Sequence, residues 1–160
     1  MVYHEHMNIE ATIRSYLPQV IHLSLATCRD NRPWVCEVHF ASDDDLNLYF
    51  CSSPQRRHSQ EIAANPHVAG NIVTQHHLGQ KVRGVYFEGV AKELENVNEG
   101  DIGYKVYSER FETGPALLSD LKAPGGGRLY QITVSDYYLF DNYNGPSAKH
   151  QLPWGKGDSK

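Results

Sequence analysis

The chain has 160 residues, 40% of them hydrophobic and 21% charged, and its formal net charge is −4. This length suffices for one domain with a buried core. The acidic balance argues against a surface built for nucleic acid, which needs dispersed positive charge. No run of about 18 apolar residues occurs, so the sequence indicates no membrane span. The three cysteines have neither zinc-site nor disulfide-framework spacing, and we expect buried free thiols in a cytoplasmic protein.

Hydrophobic alternation predicts a mainly β domain preceded by a short helix. Apolar residues recur at helical spacing from Asn8 to Pro18, so residues 1–18 form an N-terminal helix of the same domain. Alternating or apolar runs predict six strands, at about residues 21–26, 34–40, 46–51, 68–74, 82–94 and 129–140. The fifth strand is long enough to bend at Gly84 or Gly89. A bent long strand among hairpin-like spacings favours an antiparallel barrel.

Helix signals interrupt this pattern twice. Ser53 as N-cap and Pro54 as first residue predict a helix that runs to Ala64. Asn98 is expected to cap a second helix. That helix carries three aromatic residues at helical spacing on one side, Tyr104, Tyr107 and Phe111. Residues 142–160 contain Gly, Pro and Lys, and we expect an irregular C-terminal tail.

The start of the helix after the third strand suggests an anion site. The hydroxyls of Ser52 and Ser53 should lie beside the free amide groups of the first helical turn, where an anion fits. Positive charge at Arg56, Arg57 and His58 opposes the helix dipole by about 0.3 to 1 kcal/mol each unless something negative binds. The cluster is local, which favours a small ligand. A solvated basic surface on a short helix is the alternative.

A family resemblance rests on five segments in this order: LSLATC, WVCEVHF, LYFCSS, RRHSQEIAANPHV and VRGVYFEGVAKEL. Together they resemble the pyridoxamine 5'-phosphate oxidase-like FMN-binding split-barrel proteins, over residues 19–94 and more weakly in the final strand. The stretches RGVYFEG, VYSERF and LPW are most similar to a small bacterial subgroup of that superfamily. The resemblance implies a six-stranded antiparallel Greek-key split barrel with peripheral α-helices, over residues 19–141.

The resemblance also implies a cofactor and a partner. It implies FMN whose phosphate is held by Ser52, Arg57 and His58, in a homodimer with the flavin at the subunit interface. The implied activity is that of a flavin-dependent oxidoreductase on a small molecule, and no catalytic side chain is required because the flavin carries the hydride chemistry. A non-catalytic barrel that holds haem or flavin as a sensor or store is the alternative. His58 stands where the oxidase has lysine, so this phosphate contact should weaken above neutral pH.

Further candidate residues would contact the flavin ring. The backbone edge at Glu37, Val38 and His39 could meet the ring, although a solvent-facing strand is the alternative. Arg83 could lie beside the pyrimidine edge of the ring or be an ordinary surface guanidinium.

Two departures separate this chain from the vitamin-synthesising oxidase. Gly84 stands where the oxidase has a side-chain amide, so Gln75 or Gln80 would have to supply that contact. The substrate-phosphate residues of the oxidase have no clear counterpart, so pyridoxamine phosphate oxidation is not implied. The nine histidines have neither HExxH nor zinc-site spacing, and no metal site is expected.

Overall fold

The computed structural model describes residues 7–143 and 148–154, which form one antiparallel sheet surrounded by helices. The strands are β1 (His22–Arg29), β2 (Arg32–His39), β3 (Ala41–Ser42), β4 (Leu48–Ser52), β5 (His67–Val73), β6 (Arg83–Glu93), β7 (Arg128–Asp141) and β8 (Ala148–Pro153). The helices are α1 (Ile9–Tyr16), α2 (Arg57–Ala64), α3 (Ile102–Phe111) and α4 (Gly114–Lys122), and a 3-10 turn at Leu17–Gln19 follows α1. No helix in these ranges is long and apolar enough to cross a bilayer.

The strand order confirms the predicted mainly β split-barrel class. Hydrogen-bonded neighbours follow the path β2-β1-β5-β6-β7-β4-β3, with β8 paired to β7, and every pairing is antiparallel. The six predicted strands correspond to β1, β2, β4, β5, β6 and β7. The predicted count of six is too low, because β3 has only two residues and β8 lies in the expected tail.

The prediction of an irregular tail over 142–160 is wrong for residues 148–154. Strand β8 pairs with the second half of β7, from Asp136 opposite Pro153 to Asp141 opposite Ala148. The indole Nε1 of Trp154 then donates to the Asp45 carbonyl at 2.7 Å. Residues 148–153 form a strand because they satisfy backbone groups of β7 that β4 does not reach. Residues 144–147 and 155–160 lie outside the described ranges.

Alternating side chains build two apolar clusters. The larger fills the barrel and receives Ile13 and Leu17 from the N-terminal helical segment. The smaller lies under α3 and α4 and contains Tyr49, Tyr104, Tyr107, Leu117 and Leu129. The aromatic side of α3 therefore packs inward, as the spacing predicts. Because Tyr104 and Tyr107 are buried within their own chain, they do not supply exposed interface surface.

Helix α1 begins as predicted, with the Asn8 side chain accepting from the Ala11 amide. Helix α2 begins three residues later than predicted, with Arg56 rather than Ser53 as N-cap. Ser53 instead starts a turn with Pro54 at its second position, in which the Arg56 amide donates to the Ser53 carbonyl at 3.1 Å.

Helix α3 begins after Asp101, and the prediction that Asn98 caps it is wrong. Asn98 instead forms the preceding turn. Its amide donates to Asp101 Oδ2 at 2.6 Å, and its side chain accepts from the Gly100 amide at 2.8 Å. Local hydrogen bonds of this kind compete with helix capping.

Gly89 marks the irregularity predicted in the long strand, since the register of β6 against β7 shifts between Glu88 and Gly89. A Cβ at Gly89 would overlap the Thr133 carbonyl oxygen and lie 3.0 Å from the Val134 Cα. We expect Gly89→Ala to lower the free energy of unfolding by about 1 to 3 kcal/mol, because backbone atoms must move. Urea denaturation measures this, with the exposed Lys92→Ala on the same strand as control. Equal stability of both variants would contradict this account of the bulge.

Candidate functional site

The main cleft lies where the barrel is split. Strand β2 ends the sheet on one side, β3 and β4 end it on the other, and the cleft of about 770 Å³ opens between them. The N-terminus of α2 and the side of α3 complete its walls. The lining residues are His22, Trp34, Cys36, Glu37, Val38, His39, Cys51, Ser52, Arg56, Arg57, His58 and Tyr107. The opening between the two sheet ends therefore collects side chains from five separate parts of the chain.

The basic end of the cleft lies at the start of α2. His58 is buried, and its Nε2 shares a hydrogen bond of 2.7 Å with the Ser52 hydroxyl at the end of β4. The first intrahelical amide bond runs from Gln60 to the Arg56 carbonyl, so the preceding helical amides have no intrahelical acceptor. This wall therefore combines a hydroxyl, an imidazole and the donor groups of a helix N-terminus.

The two arginines on this wall differ in their surroundings. The Nε of Arg57 donates to Glu61 Oε1 at 2.8 Å, and its guanidinium lies 4.3 Å from the centre of the Trp34 ring. Arg56 is exposed, and no acceptor for its guanidinium is found among the described residues. Arg57 is thus held in one orientation, whereas Arg56 remains free to rotate.

The other end of the cleft follows β2. Glu37 is exposed, accepts from the Ser24 hydroxyl at 2.5 Å and lies 3.6 Å from His22 Nε2. Val38 is buried in the barrel, and the His39 ring stacks on Phe111 with 5.5 Å between centroids. Glu37 and His39 are two residues apart on β2, so they share one face of the strand, and both line the cleft. This face provides one carboxylate and one planar ring along the cleft.

Six of the nine predicted site residues meet in this cleft: Glu37, Val38, His39, Ser52, Arg57 and His58. The other three do not line it. Ser53 Oγ accepts from the Gln55 amide within the turn before α2. Gln75 is exposed in the loop between β5 and β6. Arg83 donates to the buried Asp141 at 2.9 Å and lines a separate cavity of about 290 Å³.

Sequence reasoning missed several lining residues, and also Glu61, which accepts a hydrogen bond from Arg57 but does not line the cleft. The sequence pattern places Trp34 only in a strand and Tyr107 only on the aromatic side of a helix. Glu61 stands four residues after Arg57, a spacing that signals helical ion pairs and could have been used. No local signal links Tyr107 to β4, because that proximity depends on how α3 packs.

Acid–base shifts in the cleft arise mainly from burial. Burial, with a smaller contribution from Asp120, raises the pKa of the Cys51 thiol to about 11. Burial, followed by the carboxylates of Glu37 and Glu61, raises the pKa of Cys36. Both thiols are therefore protonated at neutral pH and are not activated nucleophiles. Burial raises the pKa of Tyr107 to about 12, so its hydroxyl can donate a hydrogen bond throughout the physiological range.

His58 is neutral at neutral pH in the ligand-free protein. Burial and then the charge of Arg56 lower its pKa below the ordinary value near 6.5, while Glu61 acts weakly in the opposite direction. The ordinary pKa near 6.5, on which the expected pH dependence of this phosphate contact rests, is therefore too high for His58 in the ligand-free protein. A bound phosphate would raise this pKa again, since an opposite charge favours the imidazolium.

We expect phosphate affinity to fall as pH rises between the ligand-free and ligand-bound pKa values of His58, because binding there takes up a proton. Flavin fluorescence titration of wild type and His58→Gln between about pH 5.5 and 7.5 measures this, with the variant showing the flatter profile. We choose glutamine rather than lysine as the replacement because the His58 side chain is buried and hydrogen-bonded to Ser52, where a charged lysine would be destabilising. Ionisation of the FMN phosphate affects both proteins equally. Identical dependence of FMN affinity on pH in the two proteins would therefore show that His58 does not contact the phosphate.

These features together define a split-barrel protein with a basic cleft between its sheet ends. A family model described as pyridoxamine 5'-phosphate oxidase matches residues 9–141, and the chain belongs to that family. The UPF0306 protein YhbP of Salmonella schwarzengrund is 32% identical over 122 residues, which cover 76% of each chain. The resemblance inferred from the sequence segments, including that to a bacterial subgroup, is thereby confirmed.

Solved structures show the same fold. The heme storage protein HutZ of Vibrio cholerae has a TM-score of 0.66 at 20% identity, and the match covers 87% of this chain and 98% of that chain. An FAD-binding protein of Mesorhizobium loti has a TM-score of 0.59 at 23% identity, with 83% and 93% covered. At these identities the likeness concerns the fold.

Proposed function

We propose that the protein binds FMN in the cleft and acts as a flavin-dependent oxidoreductase on a small molecule. The observation that carries the proposal is the meeting of Ser52, Arg56, Arg57 and His58 at the first turn of α2, on one wall of a large cleft. Hydroxyl, guanidinium, imidazole and free amide groups are the donors that hold a phosphate. A phosphorylated ligand also relieves the repulsion between the two guanidinium groups and the helix dipole.

The dimensions of the cleft suit an extended flavin. Trp34 lies beside Arg57 at one end of the cleft, and His39 lies beside Phe111 at the other. These two positions are five residues apart on β2, which corresponds to about 16 Å of strand. Strand β2 is at the end of the sheet, so part of its backbone is available to donate to and accept from the polar edge of a ring. When bound, the flavin supplies the hydride chemistry, and the protein supplies position and electrostatics.

The visible spectrum of the purified protein tests this proposal. We expect a yellow protein that releases FMN into the supernatant on heating and whose bound flavin is bleached by NADH or NADPH. A colourless protein that does not take up added FMN would overturn the binding proposal. Bound flavin that neither nicotinamide nucleotide reduces would count against the oxidoreductase activity and favour a flavin store or sensor.

Haem is the second candidate ligand, and a pair of histidines favours it. His22 and His39 are opposite each other in the register of β1 and β2, and both line the cleft. Imidazole is a common axial ligand of haem iron. HutZ, which shares the fold, is described as a heme storage protein. Two results together would establish this alternative. The wild-type protein would show a Soret band after haem addition but no uptake of FMN, and the His39→Ala variant would show no Soret band.

The proposal includes a homodimer in which the flavin lies at the subunit interface. Strand β2 is an unprotected edge with exposed apolar side chains, since Trp34 is 39% and Val35 58% exposed. Natural proteins normally cover or blunt such an edge. Gln75 and Arg83 do not line the cleft of their own chain, and the proposal assigns them to the flavin that is bound mainly by the other subunit.

A further inference from the structure

Arg57 is held from two sides. One face of its guanidinium lies 4.3 Å from the centre of the Trp34 ring, and its Nε donates to Glu61 at 2.8 Å. Because Nε is used, both terminal Nη groups remain, and no acceptor for them is found among the described residues. The side chain is 48% exposed and lines the cleft. The two Nη groups of Arg57 are thus presented to the cleft as hydrogen-bond donors, while Glu61 and Trp34 fix the orientation of the guanidinium.

Glu61 is itself anchored to the barrel. Its side chain is only 7% exposed, and its second carboxylate oxygen accepts from the Thr27 hydroxyl at 2.5 Å. Thr27 lies on β1 and is 2% exposed. The Thr27 and Arg57 hydrogen bonds lower the pKa of Glu61, so it is ionised at neutral pH. A buried carboxylate is costly unless its oxygens are satisfied, and here each oxygen has one partner.

This arrangement differs from an ordinary helical ion pair. Glu10 and Arg14 have the same spacing and the same 2.8 Å separation, but both side chains are exposed, at 43% and 37%. Such surface pairs contribute little to stability. Glu61 lies beyond the first turn of α2, where the helix dipole favours it little. Neither surface pairing nor the dipole explains a carboxylate buried between Thr27 and Arg57.

We propose that Glu61, anchored by Thr27, is the positioning residue that fixes Arg57 for the ligand phosphate, an inference that rests on the proposed FMN site. Arginine loses much side-chain freedom when it binds a phosphate, and prior fixation removes that cost from the binding step. The negative charge of Glu61 opposes the phosphate. Orientation outweighs this effect because Arg57 lines the cleft, whereas the Glu61 side chain is buried and does not line it.

The test separates orientation from charge with two ligands and two substitutions. Dissociation constants of FMN and of riboflavin, which lacks the phosphate, are measured by flavin fluorescence on the full chain. Glu61→Ala is expected to weaken FMN about tenfold, within the range for residues in contact, and to leave riboflavin unchanged. Glu61→Gln keeps an oxygen for Arg57 and should recover most of the FMN affinity. If Glu61→Ala does not fold, Thr27→Val replaces it. This variant removes the anchoring hydroxyl and should also lower the affinity for FMN.

A double-mutant cycle and a matched pair provide the controls. In an Arg57→Ala background, Glu61→Ala should have no further effect on FMN, because the residue it positions is gone. Glu10→Ala removes a carboxylate from the matched exposed pair and should change neither dissociation constant. Equal weakening of FMN and riboflavin, or an additive effect in the cycle, would show that Glu61 only stabilises the fold. A wild-type protein that binds neither flavin overturns the proposed function and this inference with it. If the wild-type protein binds both flavins and Glu61→Ala leaves the dissociation constant of FMN unchanged, the inference about Glu61 is overturned but the proposed function is not.

Discussion

An Arg57→Ala variant is expected to bind FMN about 10- to 150-fold more weakly than wild type, because a charge-assisted hydrogen bond contributes roughly 1.5 to 3 kcal/mol. Arg57 lines the cleft with both Nη groups unengaged by the described residues, and Trp34 and Glu61 fix its orientation. Flavin fluorescence titration gives the dissociation constant. Riboflavin, measured in parallel, should be affected far less because it has no phosphate.

Arg56→Ala is the matched control, since it removes the same charge from the neighbouring position. Arg56 is the N-cap and has extended backbone, whereas Arg57 is the first helical residue, so the two side chains leave the backbone in different directions and cannot approach one phosphate equally well. Arg56 is exposed and must lose more side-chain freedom to bind. We therefore expect a clearly smaller loss of affinity than for Arg57→Ala. Equal losses for both variants would mean that the wall acts only as a diffuse positive surface.

FMN binding is expected to stabilise the dimer, and dilution is expected to release the flavin, if the pocket is shared between subunits. Light scattering should then give twice the chain mass of 18.1 kDa. Added FMN at about 100 times its dissociation constant should raise the free energy of unfolding by about 2.7 kcal/mol, because it binds only the folded state. Apparent FMN affinity should rise with protein concentration over the range in which the dimer forms.

A substitution on β2 makes this second prediction sharper. Val35 is 58% exposed on the sheet-end strand and does not line the cleft of its own chain, so Val35→Lys introduces charge at the proposed interface. We expect this variant to be monomeric and to bind FMN more weakly, whereas Ile102→Lys, equally exposed at 58% but on α3 and outside the cleft lining, serves as control. A wild-type monomer that binds FMN stoichiometrically, with affinity independent of dilution, would refute the shared pocket.

The sequence alone was sufficient for the features that depend on local spacing. Alternation located the six longer strands, and helical spacing located the start of α1 at Asn8. Ser52, Arg57 and His58 could be grouped because six residues joining a strand to a helix cannot separate them far. Helix starts were less certain. The turn at Ser53 and the turn at Asn98 use the same residue types that cap helices, and only the complete hydrogen-bond pattern distinguishes the two.

Long-range packing decided the rest of the site. Trp34, Thr27 and Tyr107 come from β2, β1 and α3, and they reach α2 or β4 only after the sheet curls and its two ends border one cleft. The tail shows the same dependence, since β8 is a strand because β7 offers it unpaired backbone groups. Hydrophobic period and turn chemistry therefore determined the six longer strands, α1 and the basic group at α2. The tertiary structure decided which side chains surround that group, because pairing and packing between distant segments have no signature in local spacing.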